Sequence, residues 1–123
     1  MELIPRHFPN VGVVEAQLPE DVVANIWTVI NEAREKPEDM KPELAGNISS
    51  SIRLDSSSPL LEEFVSKTIP SFMDSHMQNY GPPWRAVMKE GQEFTLESLW
   101  VNFQKQHEFN PPHDHSGVYS FVI

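Results

Sequence analysis

Cysteine is absent from this sequence of 123 residues, and basic residues are scarce. Without a thiol there is no disulfide, no thiolate metal site and no cysteine nucleophile, and the chain suits a reducing compartment. Nine lysines and arginines stand against eighteen aspartates and glutamates, which gives a net charge of −9. This balance argues against a nucleic-acid partner, because binding to a phosphate backbone depends on clustered positive charge.

Long apolar runs are missing as well. No stretch approaches the roughly 18 apolar residues that a membrane-spanning helix needs, and the opening MELIPRHFPN lacks the pattern of a secretory signal. We therefore expect a cytoplasmic protein without a membrane partner. The phosphate-binding glycine loop, the Gly-x-Ser-x-Gly elbow and the HExxH motif are also absent. A chain of this length has room for a single domain, which would span residues 1–123.

The first helical pattern runs from Pro19 to about Lys36, where Pro37 ends it. Its apolar residues recur at spacings of one, three and four, which predicts an amphipathic helix. We interpret the apolar stripe as core packing, and this interpretation includes Trp27. The stripe consists of Val22, Val23, Ile26, Trp27, Ile30 and Ala33.

A second helical pattern begins at Ser58, whose side chain suits the cap position, followed by Pro59 at the first helical position. It continues to about Tyr80, where a Gly-Pro-Pro sequence ends it. Pro70 lies inside this span and removes a backbone donor, so a kink or two abutting helices are expected there. His76 falls at the margin of the apolar stripe, which indicates a partly buried structural histidine.

Strand patterns are shorter. The run Val11–Val14, between prolines, predicts an edge strand, and a second candidate for a short strand is Arg85–Met88. Period-two alternation predicts a strand over Leu96–Gln104 and another over Val118–Ile123. Residues 37–58 are rich in Pro, Glu, Ser and Asn, which favours turns that cover a sheet, and a functional loop is the alternative interpretation.

Two histidines stand one residue apart, His113 and His115, after a stiff Pro-Pro pair and a polar loop. In an extended backbone alternate side chains point the same way, roughly 6 to 7 Å apart at the backbone. Two imidazoles so placed are able to converge on one metal ion, whereas Asp114 between them would point away. The other interpretation is a pair of solvated histidines, and the spacing alone leaves both open.

A resemblance covers three stretches of the chain: the long segment Leu96–Ile123, the segment LAGNISSSI at Leu44–Ile52, and the opening ten residues. Together they resemble the Fe(II)/2-oxoglutarate-dependent oxygenases encoded by marine cyanophages and related marine bacteria. The resemblance is dense over Leu96–Ile123 and loose through the middle of the chain.

The resemblance implies a double-stranded β-helix, also called a jelly roll, with Fe(II) and 2-oxoglutarate as cofactors. Residue by residue, His113 and His115 fall on the family's metal-binding segment. The sequence departs from the common pattern, because His115 occupies a position that is usually Asp or Glu. The family's later histidine ligand and its 2-oxoglutarate carboxylate partner would lie beyond Ile123. Among the residues present, Arg53 is the candidate for binding a 2-oxoglutarate carboxylate, since guanidinium groups commonly pair with carboxylates.

These observations predict an α+β fold, a partial double-stranded β-helix of the cupin-like type flanked by N-terminal helices. The predicted function is an Fe(II)/2-oxoglutarate-dependent dioxygenase, here as an incomplete fragment. Two alternatives remain: a cupin-like metal-binding protein without oxygenase activity, and an inactive structural fragment. The sequence ends within an apolar run, so we expect a truncated sheet and a homodimer formed through the C-terminal strands, with Phe121 and Ile123 in the interface.

Overall fold

Helices and short antiparallel strands alternate along the chain in the computed structural model, which describes residues 1–7, 12–82, 95–115 and 117–123. A 3-10 turn covers Lys41–Glu43, and a π-helical segment, Phe64–Thr68, joins the last two helices. The fold class is α+β with two small antiparallel sheets, and the described residues do not display a jelly roll. The strands are β1 (Leu3–His7), β2 (Gly12–Ala16), β3 (Ser50–Arg53) and β4 (Trp100–Phe103), and the helices are α1 (Glu20–Glu35), α2 (Pro59–Glu63) and α3 (Ile69–Tyr80).

The N-terminal sheet is a pair of antiparallel strands in which Leu3 of β1 lies opposite Ala16 of β2. Strand β2, Gly12–Ala16, lies where the run Val11–Val14 predicts a strand, and it extends past that run to Ala16. Strand β1 was not predicted, because Pro5 lies in its middle. Proline is tolerated there because β1 pairs on one side only, with β2, in the two-stranded sheet.

Helix α3 packs against this pair of strands. Near its C-terminal end, His76 Nε2 lies 3.0 Å from the Gly12 carbonyl oxygen, and the Tyr80 hydroxyl donates to the Val13 carbonyl at 3.1 Å. Because a carbonyl only accepts, His76 Nε2 carries the proton in this contact. The prediction that His76 is a partly buried structural histidine is confirmed.

Helix α1 lies within the predicted span, and Pro19 caps it with an extended backbone (φ −57°, ψ 146°). Its inner face is centred on Val29 and Ile30, which are 2% and 7% exposed. The interpretation of Trp27 as a core residue is wrong, because its side chain is 53% exposed. Each residue turns about 100° around the helix axis, so the buried stripe that passes through Ile26 and Val29 leaves Trp27 outside.

The second sheet joins β3 and β4, with Ser50 opposite Phe103 and Arg53 opposite Trp100. Strand β3 corrects the prediction for residues 37–58, whose composition favours turns over regular structure. One face of this second sheet contributes to a core cluster shared with α1 and α2. The buried members are Val29, Ile30, Leu54 and Leu61, with Ile26, Ala33, Val65, Leu99, Val101 and Phe103 packed around them.

The long helical span from Pro59 to Tyr80 is interrupted where the sequence predicts a kink. A π-helical turn, Phe64–Thr68, precedes Pro70, and α3 resumes at Ile69. The wider turn accommodates the proline, which lacks the amide proton that an α-helical hydrogen bond requires. Gly81 then ends α3 with a positive φ of 80°, a conformation that favours glycine.

The C-terminal predictions are corrected in part. Strand β4 is shorter than the predicted Leu96–Gln104, and residues 117–123 form no strand. A strand requires a partner for its backbone groups, and none of the described residues pairs with Val118–Ile123. The short strand considered at Arg85–Met88 lies outside the described residues.

Candidate functional site

The loop between β4 and the histidine pair is organised around Glu108. The Lys105 amide donates to a Glu108 carboxylate oxygen at 2.9 Å, and the Glu108 amide donates to the Lys105 carbonyl at 3.1 Å. Hydrogen bonds from the Lys105 backbone, and then from the Ser49 side chain, lower the pKa of Glu108. His107 occupies the tip of this turn with a positive φ of 69°. The loop is therefore a defined turn that fixes where the following residues begin.

The two stretches that carry most of the resemblance lie side by side. Asn47 and Phe109 form an isolated antiparallel bridge, in which the Asn47 amide donates to the Phe109 carbonyl at 2.8 Å. Beside this bridge, Asn110 lies so close to Gly46 that a Cβ at position 46 would overlap the Asn110 side chain. Residues 46–53 thus support β4 and the loop that leads to the histidines.

The imidazoles of His113 and His115 are neighbours. Their ring centroids are 4.7 Å apart at an interplanar angle of 61°, and both side chains are exposed. This is the same-side arrangement that the alternation predicts, although residues 113–115 do not belong to a strand. Whether the pair binds a metal stays a prediction.

The tautomer of His113 follows from its environment. Its Nδ1 lies 2.7 Å from the carbonyl oxygen of Pro111. A carbonyl can only accept, so Nδ1 carries the proton and the lone pair of the neutral ring lies on Nε2. A metal-binding histidine commonly has its other ring nitrogen held by such an acceptor. The Nε2 lone pair of His113 is therefore the one left available to a ligand such as a metal ion.

His115 lies against Trp100 of β4. The two ring centroids are 6.4 Å apart and the planes are inclined by 25°, which is a loosely stacked arrangement. Trp100 is in turn the register partner of Arg53 across the β3–β4 ladder. Directly opposite residues in an antiparallel pair share a face of the sheet. Arg53 therefore lies on the sheet face that carries Trp100, and His115 packs against that tryptophan. Arg53 is sixty positions before His113 in the sequence.

The remaining positions of this face are polar. Ser51 is 3% exposed, and its hydroxyl donates to the side-chain oxygen of Asn102 on β4 at 2.7 Å. The sequence reasoning did not single out Trp100, Ser51 or Asn102 as site residues. The signal was present for two of them, because the period-two alternation places Trp100 and Asn102 on one face of their strand.

Arg53 already has two acidic partners. Its Nε lies 2.7 Å from a carboxylate oxygen of Glu38, and one terminal nitrogen lies 3.0 Å from a carboxylate oxygen of Glu43. The adjacent backbone is paired too, since the Arg53 amide donates to the Glu38 carbonyl at 2.9 Å. These contacts attach residues 38–43 to β3. An incoming carboxylate would have to replace at least one of them.

Arg53 also lines a surface cleft of about 600 Å³ between α1 and the start of α2. Its floor includes Val29 and Leu54, and Lys36 and Asp55 contribute charges of opposite sign. The Ser57 hydroxyl and backbone amide hydrogen-bond to Asp55 and lower the pKa of that carboxyl. The cleft is open and of mixed charge, so its chemistry does not point to one ligand class.

The histidine pair provides two donors. Within residues 1–7, 12–82, 95–115 and 117–123, no three His, Cys, Asp or Glu side chains are placed so as to hold one metal ion.

None of the helices in the same ranges has both the length and the apolar character that a membrane span requires. Comparison of the chain with protein-family models, curated proteins and solved structures finds no match.

Proposed function

We propose that this chain carries the metal-binding segment of an Fe(II)- and 2-oxoglutarate-dependent oxygenase, with His113 and His115 as metal ligands. The proposal includes the finer fold, in which the two small sheets belong to a double-stranded β-helix. The observation that supports it most directly is the contact of the two imidazole rings, at 4.7 Å between centroids, with His113 held in the Nδ1-protonated form.

The chemistry of the pair suits this centre. Fe(II) in such enzymes is held by three protein groups on one face, which leaves positions for 2-oxoglutarate and dioxygen. Neutral imidazoles are suitable ligands for iron, and His113 and His115 fit two of the three protein positions. Both rings are exposed, so a metal ion is able to reach them.

Arg53 is the proposed partner of a 2-oxoglutarate carboxylate, because it shares a sheet face with Trp100, next to the histidines. Its contacts with Glu38 and Glu43 favour a second candidate function, a metal-binding protein that does not use 2-oxoglutarate. The two functions differ in whether the metal-loaded protein binds 2-oxoglutarate.

Metal binding is tested by titrating the protein with Fe(II) under anaerobic conditions, using calorimetry. We expect saturable binding that is lost in the double variant His113→Ala, His115→Ala, because that variant removes both donors. The matched control is His107→Asn, which removes another exposed histidine from the neighbouring turn, tolerates the positive φ of that position and should bind as the wild type does. Equal binding by the double variant and the wild type would contradict the proposal.

Binding of 2-oxoglutarate is tested next, with the metal-loaded protein. We expect binding in the wild type and a loss in Arg53→Met, whereas Arg34→Met, which removes an arginine from α1, should leave it unchanged. The carboxylate partners of Arg53 are largely exposed, and ion pairs that reach the surface are worth at most about 1 kcal/mol, so Arg53→Met should remain folded. Metal binding without any 2-oxoglutarate binding would support the second candidate function.

A further inference from the structure

We propose that Trp100 is a positioning residue for His115, and that its indole holds the imidazole in the orientation in which it binds a metal. The inference rests on the proposed function, since it concerns the geometry of one of the two proposed ligands. The observation behind it is the stacked contact between the two rings, 6.4 Å between centroids and 25° between planes.

The two histidines are oriented by different means. His113 has a hydrogen bond from Nδ1 to the Pro111 carbonyl, which fixes both its tautomer and its ring. In the described part of the chain, no hydrogen bond is found for either ring nitrogen of His115, and its ring contacts are with Trp100 and His113. The orientation of His115 therefore depends on packing against aromatic side chains.

Trp100 is suited to this role because it belongs to a strand. It begins β4 opposite Arg53, and the Leu54 amide donates to the Leu99 carbonyl at 2.9 Å immediately beside it. The tryptophan side chain is half-buried, whereas His115 lies outside any regular element. A residue on a rigid element can thus orient a ligand that lies on a loop.

The stacked geometry keeps the donor atoms accessible. The lone pair of an imidazole nitrogen lies in the plane of the ring, so a partner stacked with an offset beside one face does not block it. Offset stacking of aromatic rings is favourable beyond the burial of area alone. This preference favours one ring orientation over its alternatives without competing for the metal.

The test compares the affinity for Co(II), used as a stable substitute for Fe(II), among Trp100→Ala, Trp100→Leu, Trp100→Phe and the wild type. Groups that orient metal ligands typically change metal affinity by about 10-fold or more when they are removed. We expect a weakening of about 10-fold in Trp100→Ala and Trp100→Leu, and near-complete recovery in Trp100→Phe, which keeps an aromatic face. Trp27→Ala, which removes an exposed tryptophan from α1, is the matched control and should bind as the wild type does.

A spectroscopic measurement reports the contact itself. The chain has three tryptophans, so the double variant Trp27→Phe, Trp84→Phe leaves Trp100 as the only indole. Paramagnetic Co(II) bound at His115 should quench its fluorescence, whereas diamagnetic Zn(II) at the same site should not. Quenching by Co(II) alone would place the bound metal beside Trp100, and equal fluorescence with both metals would contradict that placement.

The outcomes are distinct. Metal binding through the histidine pair that is equal in the wild type, Trp100→Ala and Trp100→Leu overturns the inference and leaves the proposed function in place. No metal binding by the wild type overturns both. If Trp100→Ala fails to fold by circular dichroism, the comparison of Trp100→Leu with Trp100→Phe decides, because leucine keeps the apolar volume and lacks the ring.

Discussion

If His113 and His115 bind a metal ion as proposed, metal uptake should depend on pH. A metal ion binds the lone pair of a neutral imidazole, so each bound proton has to be displaced. We expect metal uptake to be markedly weaker at about pH 5 than at about pH 8. Parallel Co(II) titrations at the two pH values measure this, with the His113→Ala, His115→Ala variant giving the background. Equal uptake at both values would argue against imidazole ligands.

The pKa of Tyr119 leads to a second prediction, about stability at alkaline pH. Burial, followed by the charge of Asp74, raises the pKa of Tyr119 above its usual 10.0. The folded state then holds the phenolic proton more tightly than the unfolded state does. The resulting stability is present below about pH 10 and is lost as the pH rises through the folded pKa.

The measurement is thermal unfolding of the wild type and of Tyr119→Phe between about pH 8 and pH 11. The wild type should lose stability relative to Tyr119→Phe as the pH rises, because phenylalanine does not titrate. All other ionisable groups are common to the two proteins, so their contributions cancel in the comparison. A difference in stability that stays constant across this range would contradict the raised pKa of Tyr119.

Single residues also show how far the sequence can be interpreted alone. The position of His76 at the edge of an apolar stripe was enough to predict a partly buried structural role. The same reasoning misplaced Trp27, because a stripe of six residues is wider than the face that the core can cover. Its exposed position depends on which side of α1 meets β3 and α2, and this is a property of the tertiary packing.

At the level of elements, α2 offers a direct test of where the core lies. Leu60 and Leu61 are adjacent in the same helical turn, yet Leu60 is 38% exposed and Leu61 is 1% exposed. We expect Leu61→Ala to lower the free energy of unfolding by about 2 to 5 kcal/mol, since it removes a buried side chain and leaves a cavity. Leu60→Ala should cost much less. Denaturant unfolding of both variants measures these free energies. Similar losses of stability in the two variants would contradict the orientation of α2 in which Leu61 faces the core.

The elements divide into those with local signals and those without. Helix α1 and the span Pro59–Tyr80 were predictable because prolines, the first-turn acids and Gly81 act on neighbouring residues. Strand β3 was missed because its strand character depends on β4, which lies about fifty residues later in the chain. The apolar run Val118–Ile123 shows the converse: its side chains suit a strand, but strand formation also needs a partner backbone.

The candidate site was predictable to a similar extent. The spacing of His113 and His115 indicated neighbouring rings, and the rings are neighbours. The contact with Trp100 and the placement of Arg53 on the same sheet face were not predictable, since both follow from the register of β3 against β4. Register depends on which strands pair over a long range, and local patterns in a single sequence do not reveal that pairing.

At the scale of the whole molecule, the C-terminal residues 117–123 contact the helical span Pro59–Tyr80. The Tyr119 ring meets His76 of α3 edge-on at 5.3 Å, and the Phe121 ring meets Phe64 at 5.8 Å. Beyond these two contacts, large apolar side chains face outward. Val122 is 99% exposed and Ile123 is 60% exposed, while Phe121 remains 37% exposed despite its contact.

Such a cluster favours association, and we expect the homodimer that the sequence predicts, with Phe121, Val122 and Ile123 in its interface. Exposed apolar residues that lie together commonly mark a contact with another chain, and a second copy offers the same surface in a two-fold arrangement. The double variant Val122→Asp, Ile123→Asp should be monomeric in light scattering at tens of micromolar, because it places like charges opposite each other across the two-fold axis. Trp27→Asp, which changes an exposed tryptophan on α1, should leave the association state unchanged. A monomeric wild type, or a double variant that associates as the wild type does, would contradict this interface.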